Sequence, residues 1–186
     1  MKKLFLPSLA LAMILILSAC GGNNNDTNDL SQQEPSGETL QQEPGSGREL
    51  VKFPENYDEG VLFTTVTRGS TYEELYTSRE AIEAVQDGKP IPSGTVITLK
   101  IYEDDELSKY FVMEKRDGWG AQYPPDMRNG EWEYNAFNAD GSVKNDEDIG
   151  RCLSCHANAE RDDYVNKFDE MKSYDLDTLT GSRAVT

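Results

Sequence analysis

Cys152-Leu153-Ser154-Cys155-His156 places two thiols and the only histidine of the 186-residue chain side by side. The pattern is C-x-x-C-H, the attachment sequence of a c-type haem. The chemistry explains the spacing. Two thiols that add to the two vinyl groups of one porphyrin must lie on one side of it at a fixed separation. On a helical turn, residues three and four apart share a face. Cys152 and Cys155 can therefore reach the ring edge while His156 brings its imidazole up under the iron. With no second histidine, His156 is the expected proximal ligand and a bis-histidine haem is excluded. Other readings of the motif explain less. A structural zinc site usually takes four Cys/His ligands, and only three stand here. A thioredoxin-like pair needs a βαβ context, and none follows. A disulfide across a two-residue gap leaves His156 without a role.

The N-terminus makes a second chemical statement. Lys2 and Lys3 precede a nearly apolar run, Leu4 to Leu17, and the segment ends Leu17-Ser18-Ala19-Cys20-Gly21. This three-part layout is that of a secretory leader, and it is shorter than the roughly 20 apolar residues of a spanning helix. Leu-Ser-Ala-Cys is similar to a bacterial lipoprotein box, in which the cysteine is acylated and becomes the mature N-terminus. Residues 1–19 are then a leader and Cys20 is the expected lipidation site; simple leader removal is the alternative. The three cysteines are accounted for: Cys20 for lipid, Cys152 and Cys155 for haem. Both assignments imply the extracytoplasmic side of a bacterial membrane, because c-type haem is attached after export.

The formal net charge is −16, and loss of Lys2 and Lys3 with the leader makes it −18. Such a charge disfavours nucleic acid and anionic headgroups and suits solubility.

Residues 20–49 are rich in Asn, Gln, Gly, Ser, Pro and acids, and cannot bury enough apolar surface to order themselves. They read as a tether. A single domain is expected over 50–174, followed by a polar tail, 175–186. Within the domain, Gly60 to Arg68 reads as a strand. Thr77 to Gly88 reads as a helix with a Thr77/Glu80 capping box. Gly94 opens a long strand, TVITLKIYE, and Leu107 to Lys115 is its hairpin partner. Glu131 to Phe137 is a further strand. Asp146 to about Ala159 carries the haem motif on a helix, and Asp162 to Tyr174 is a last helix. The fold class is α+β: an antiparallel sheet with few helices.

Taken in order, several pieces resemble the cytochrome P-460 family, which includes the cytochromes c′-beta. They are Phe53-Pro54-x-x-Tyr57, Tyr76 entering the first helix, Pro92-x-Gly94-Thr95-Val96 and Trp132-x-Tyr134-x-x-Phe137, then the haem motif and Asp163-Tyr164-Val165. The resemblance implies a β-rich haem c domain, usually a homodimer, with five-coordinate iron on the motif histidine. Members bind nitric oxide and carbon monoxide, and the P-460 members proper oxidise hydroxylamine. Those enzymes carry a lysine cross-linked to the haem, five residues after the glycine of the Gly-Thr-Val strand. Here the fifth residue after Gly94 is Leu99, and Lys100 is sixth. Strand side chains alternate, so a slip of one points to the other face. Leu99 is expected at the haem and Lys100 away from it, unless a β-bulge intervenes. Glu73 also stands where the family has an arginine, and Asp58-Glu59-Gly60 replaces its usual Arg-x-Trp. These departures point to the c′-beta type with an apolar distal cap.

Arg151 could pair a haem propionate or simply be solvated. Met113 and Met171 read as core, and Met127 is the better candidate for a sixth ligand. Trp119 and Trp132 are expected to pack the sheet, and Lys115 to sit at a strand end in solvent. Three functions follow. The first is a membrane-anchored mono-haem protein binding or processing a small gaseous or N-oxide ligand, nitric oxide first. The second is a six-coordinate electron carrier serving a redox partner through Met127. The third is a hydroxylamine oxidoreductase using Lys100.

Overall fold

The structure, a computed structural model, describes residues 47–179. The expected leader, Cys20, most of the tether and residues 180–186 lie outside the described residues. No helix among the described residues is long and apolar enough to cross a membrane.

Five strands form one antiparallel sheet in simple sequence order: β1 Val61–Arg68, β2 Thr71–Thr77, β3 Val96–Glu103, β4 Glu106–Lys115 and β5 Trp132–Asn138. The β3–β4 turn is Asp104-Asp105, both with positive φ (50° and 68°). That is the left-handed pair a two-residue hairpin needs, and aspartate tolerates it better than most residues. Helix α1, Arg79–Gln86, crosses between β2 and β3, α2 is Ile149–His156, and α3 is Phe168–Ser173.

The sheet has two buried faces. On the front, Leu75, Leu99, Phe111 and Ala136 lie in one cross-strand row, with Ile97, Met113 and Tyr134 in the next. The three helices cover this face, and Ile82, Val85 and Met171 pack into its core. On the back, Val51, Tyr110, Val112 and Phe137 form a second cluster, joined by Phe53, Tyr57 and Trp119. Alternate residues of β5 therefore meet protein on both sides, which is why its first six residues are all buried.

Several sequence expectations need correction. Thr71–Thr77 is a strand, so Tyr76 does not enter a helix. The helix after it is capped by Ser78, whose hydroxyl accepts from the Ala81 N–H, so the Thr77/Glu80 box does not form. Thr77 instead donates its hydroxyl to the Val96 carbonyl, a strand's use of the side chain. The last helix starts at Phe168 because Asp163 and Tyr164 both take left-handed conformations (φ 53° and 60°), which no α-helix can pass through. Gly47–Glu49 and Leu176–Leu179, on either side of the expected 50–174 domain, form short 3-10 turns. Arg48 donates to the Asn135 side chain and to the Lys144 carbonyl, and Leu176 and Leu179 pack on the front core.

Candidate functional site

Between the front of the sheet and α2 lies a cavity of about 520 Å³, within the roughly 300–1,000 Å³ of small-molecule and cofactor sites. Its wall is apolar where Phe63, Leu75, Leu99 and Phe111 project from four adjacent strands, β1 to β4. Cys152, Cys155 and His156 line it from α2. The aspartate cap of α2, Asp148 accepting from the Gly150 N–H, fixes where that helix starts. Asn129, 2 % exposed, fixes where it lies: its amide donates to the Leu153 carbonyl and to the Tyr134 hydroxyl.

His156 is half-buried against the Tyr134 ring, 5.1 Å between centroids. Its Nδ1 lies 2.7 Å from the Tyr164 carbonyl. A carbonyl can only accept, so Nδ1 carries the proton and Nε2 keeps a lone pair. Burial pushes the imidazole pKa down, against a smaller upward pull from Tyr164. A neutral ring with its second nitrogen tied to a carbonyl is the form in which histidine binds metal. The carbonyl is presented by the two consecutive left-handed residues Asp163 and Tyr164, a conformation that costs of order 1–3 kcal/mol per non-glycine residue. Such a backbone persists only where its surroundings hold it.

The two cysteines are free thiols, Cys152 half-buried and Cys155 exposed. Burial pushes the Cys152 thiol up to about 11, with Glu147 and Asp148 adding to the effect, so it stays protonated at neutral pH. Among the described residues no group of three His, Cys, Asp or Glu could hold a metal ion. The donor set therefore fits a haem: two thiols on one helical face, one neutral imidazole, an apolar wall and a polar edge.

That polar edge was not expected. Glu73 and Lys109 flank Ile101 in the sheet register, one row beyond Leu75, Leu99 and Phe111. Glu73 is paired with Arg68 at 2.5 Å, and Lys109 with Glu147 at 3.4 Å. All four line the cavity, as do Arg151 and Lys167. The pocket is thus apolar on one side and charged on the other, rather than apolar throughout. Recognising β2 as a strand would have exposed this, because Glu73 and Leu75 are two apart and so share a face.

Leu99 lines the cavity and Lys100 does not. The β3–β4 register runs unbroken through Leu99–Phe111 and Lys100–Tyr110; its irregularity falls later, between Ile101 and Tyr102. The Lys100 ammonium sits on the back face, 5.0 Å from the Tyr102 ring centroid and 3.8 Å from a Glu74 carboxylate oxygen. Met127 is outside the cavity lining, in the 3-10 turn Pro125–Met127, whereas Met113, buried in the front core, is part of it. Lys115 is not in solvent. It is 9 % exposed and pairs with Asp163 at 2.6 Å. The aspartate sits at the turn after the haem motif, 48 residues on in sequence, which is why no local pattern could reveal the pair. Trp132 is buried in the front core and Trp119 packs on the back, as their reading as sheet-packing residues required.

The family model for cytochrome P460 matches residues 54–167. No curated protein matches the sequence.

Proposed function

The chain belongs to the cytochrome P460 family and is a haem-binding cytochrome; from that premise we propose that it is a mono-haem c-type cytochrome whose open iron position takes small nitrogen oxides, nitric oxide first. Cys152 and Cys155 carry the thioether bonds and His156 holds the iron. The haem supplies the redox-active, gas-binding metal; the chain supplies its orientation and its surroundings. The observation that carries the reading is the convergence of both thiols and the Nε2-free imidazole on one cavity of about 520 Å³.

The residues around the cavity divide the work. Leu99, Phe63 and Phe111 exclude water and leave room for a small neutral diatomic. Asn129 and Asp148 hold α2 in place. Arg68, Lys109 and Arg151 offer cations at the edge where propionates would need them. The leader-like segment and the Leu-Ser-Ala-Cys box support a domain outside the cytoplasm, tethered through a lipid on Cys20.

A six-coordinate electron carrier has Met113 rather than Met127 as the methionine at the cavity. Axial methionine raises a haem potential and suits electron transfer, whereas an open position suits gas binding. The optical spectrum of the ferrous holoprotein, before and after nitric oxide, decides between them. A broad high-spin spectrum that changes with the gas is expected. Sharp low-spin bands that ignore it would sink the open-site reading.

A further inference from the structure

We propose that the Lys115–Asp163 ion pair is a positioning latch for His156, acting through the Tyr164 carbonyl and so setting the strength of the iron–histidine bond. The inference rests on the reading of His156 as the iron ligand.

The latch joins a rigid part of the molecule to a strained one. Lys115 is the last residue of β4, and its backbone is fixed twice: its N–H donates to the Thr95 carbonyl and its own carbonyl accepts from the Gly94 N–H. Its ammonium lies 2.6 Å from one Asp163 carboxylate oxygen, and the Trp132 indole N–H donates to the other at 3.4 Å. Trp132 is opposite Lys115 in the β4–β5 register, so both partners of Asp163 come from one end of the sheet. Asp163 opens the left-handed pair, and the next residue, Tyr164, presents its carbonyl to His156 Nδ1.

A largely buried ion pair is weak evidence for stability, because desolvating both charges offsets much of their attraction; fixing one conformation is a better-attested use. Here the conformation fixed is one that ordinary residues avoid. Without the latch, Asp163 and Tyr164 can relax towards the right-handed region, which turns the Tyr164 carbonyl away from Nδ1. An imidazole whose N–H bonds a fixed acceptor is a stronger donor to its metal. Losing that acceptor weakens the bond to iron, favours the ferrous state and raises the reduction potential.

The test uses the full-length holoprotein, with the iron–histidine stretch read by resonance Raman on the ferrous form and the reduction potential by titration. Lys115→Met and Asp163→Asn are expected to move the stretch to lower frequency and the potential upward, while Lys115→Arg stays near wild type. Asp163→Asn keeps the volume and the tolerance of a left-handed backbone, so it carries the test if Lys115→Met does not fold. A variant that folds and loads haem with the wild-type stretch and potential would overturn the latch, even if it is less stable. Absence of the stretch from the wild-type protein itself would instead be a failure of the open-site reading, because six-coordinate iron with His156 still bound gives no such stretch. The potential would still report on the latch in that case.

Discussion

Leu99 and Lys100 are neighbours in β3 and meet opposite chemistry. Leu99 faces forward into the cavity with Phe63 and Phe111. Lys100 faces back into a cluster of tyrosines, over the rings of Tyr57 and Tyr102 and beside Glu74. Burial opposes its charge, but the Tyr102 and Tyr57 hydroxyls more than offset that and hold its pKa above the ordinary lysine range. The same setting pushes Tyr76 up to about 12, by burial and the neighbouring Glu74. The front face thus has a hollow with a helix-borne imidazole and thiols. The back face is filled, its polar groups spent on one another. One sheet serves both because the period of a strand is two, and a single residue decides which side a lysine can reach.

The largest effect that separates the faces is on haem retention. Replacing both Cys152 and Cys155 by serine is expected to abolish covalent attachment, so that acidified organic solvent extracts all the haem. The wild-type chain is expected to keep it. Retention by the double variant would move the attachment point away from the front face altogether.

The back face should instead reveal itself in the pH dependence of stability. Glu133, 2 % exposed, points to the back between two front-facing residues of β5, its carboxylate against the backbone of Gly47. Burial raises its pKa to about 7, with Glu49 adding to this and the Tyr123 hydroxyl offsetting part. A carboxylate whose folded pKa exceeds its unfolded one stabilises the fold fully below the unfolded pKa, and that stability is lost as pH rises through the folded value. The protein should therefore weaken between pH 5 and pH 8, by about 2 kcal/mol from this group. Glu133→Gln should remove that slope in urea titrations of the holoprotein. An unchanged slope would place the titrating group elsewhere.

What the sequence made legible was local. Cys152-x-x-Cys155-His156 carries its chemistry in its spacing, and β3 announces itself by its β-branched run and β4 by the apolar stretch Tyr110 to Met113, on either side of an Asp-Asp turn. The split between Leu99 and Lys100 needed only the strand period. What stayed hidden was written in pairs far apart in sequence or in segments of misleading composition. β2 reads TYEELYT, too polar to look like an interior strand, because Glu73 is neutralised by Arg68 across the hairpin and Glu74 by Lys100 on the other face. Gly47-Arg48-Glu49 looks like tether, yet Arg48 is tied to Asn135 and Lys144, 87 and 96 residues on. Asn129 and Lys115 acquire roles only once β4, β5 and α2 are assembled around them. The site's chemistry was local; its positioning was tertiary.

The smallest effect is the most exacting for the comparison. Lys100→Leu removes an ammonium from two ring faces and from Glu74, a loss of about 1 kcal/mol for a partly exposed cation–π and ionic contact. It should change nothing at the front. The ferrous spectrum, its response to nitric oxide and the covalent retention of haem are all expected to match the wild type, because the strand backbone and Leu99 separate Lys100 from the cavity. A spectral change would have one clear meaning. It would show that the register slips in the haem-loaded protein, carrying Lys100 to the front and Leu99 to the back, and that the lysine belongs to the site after all. Coincident spectra with a lowered urea midpoint would confirm that adjacent residues of one strand answer to different faces.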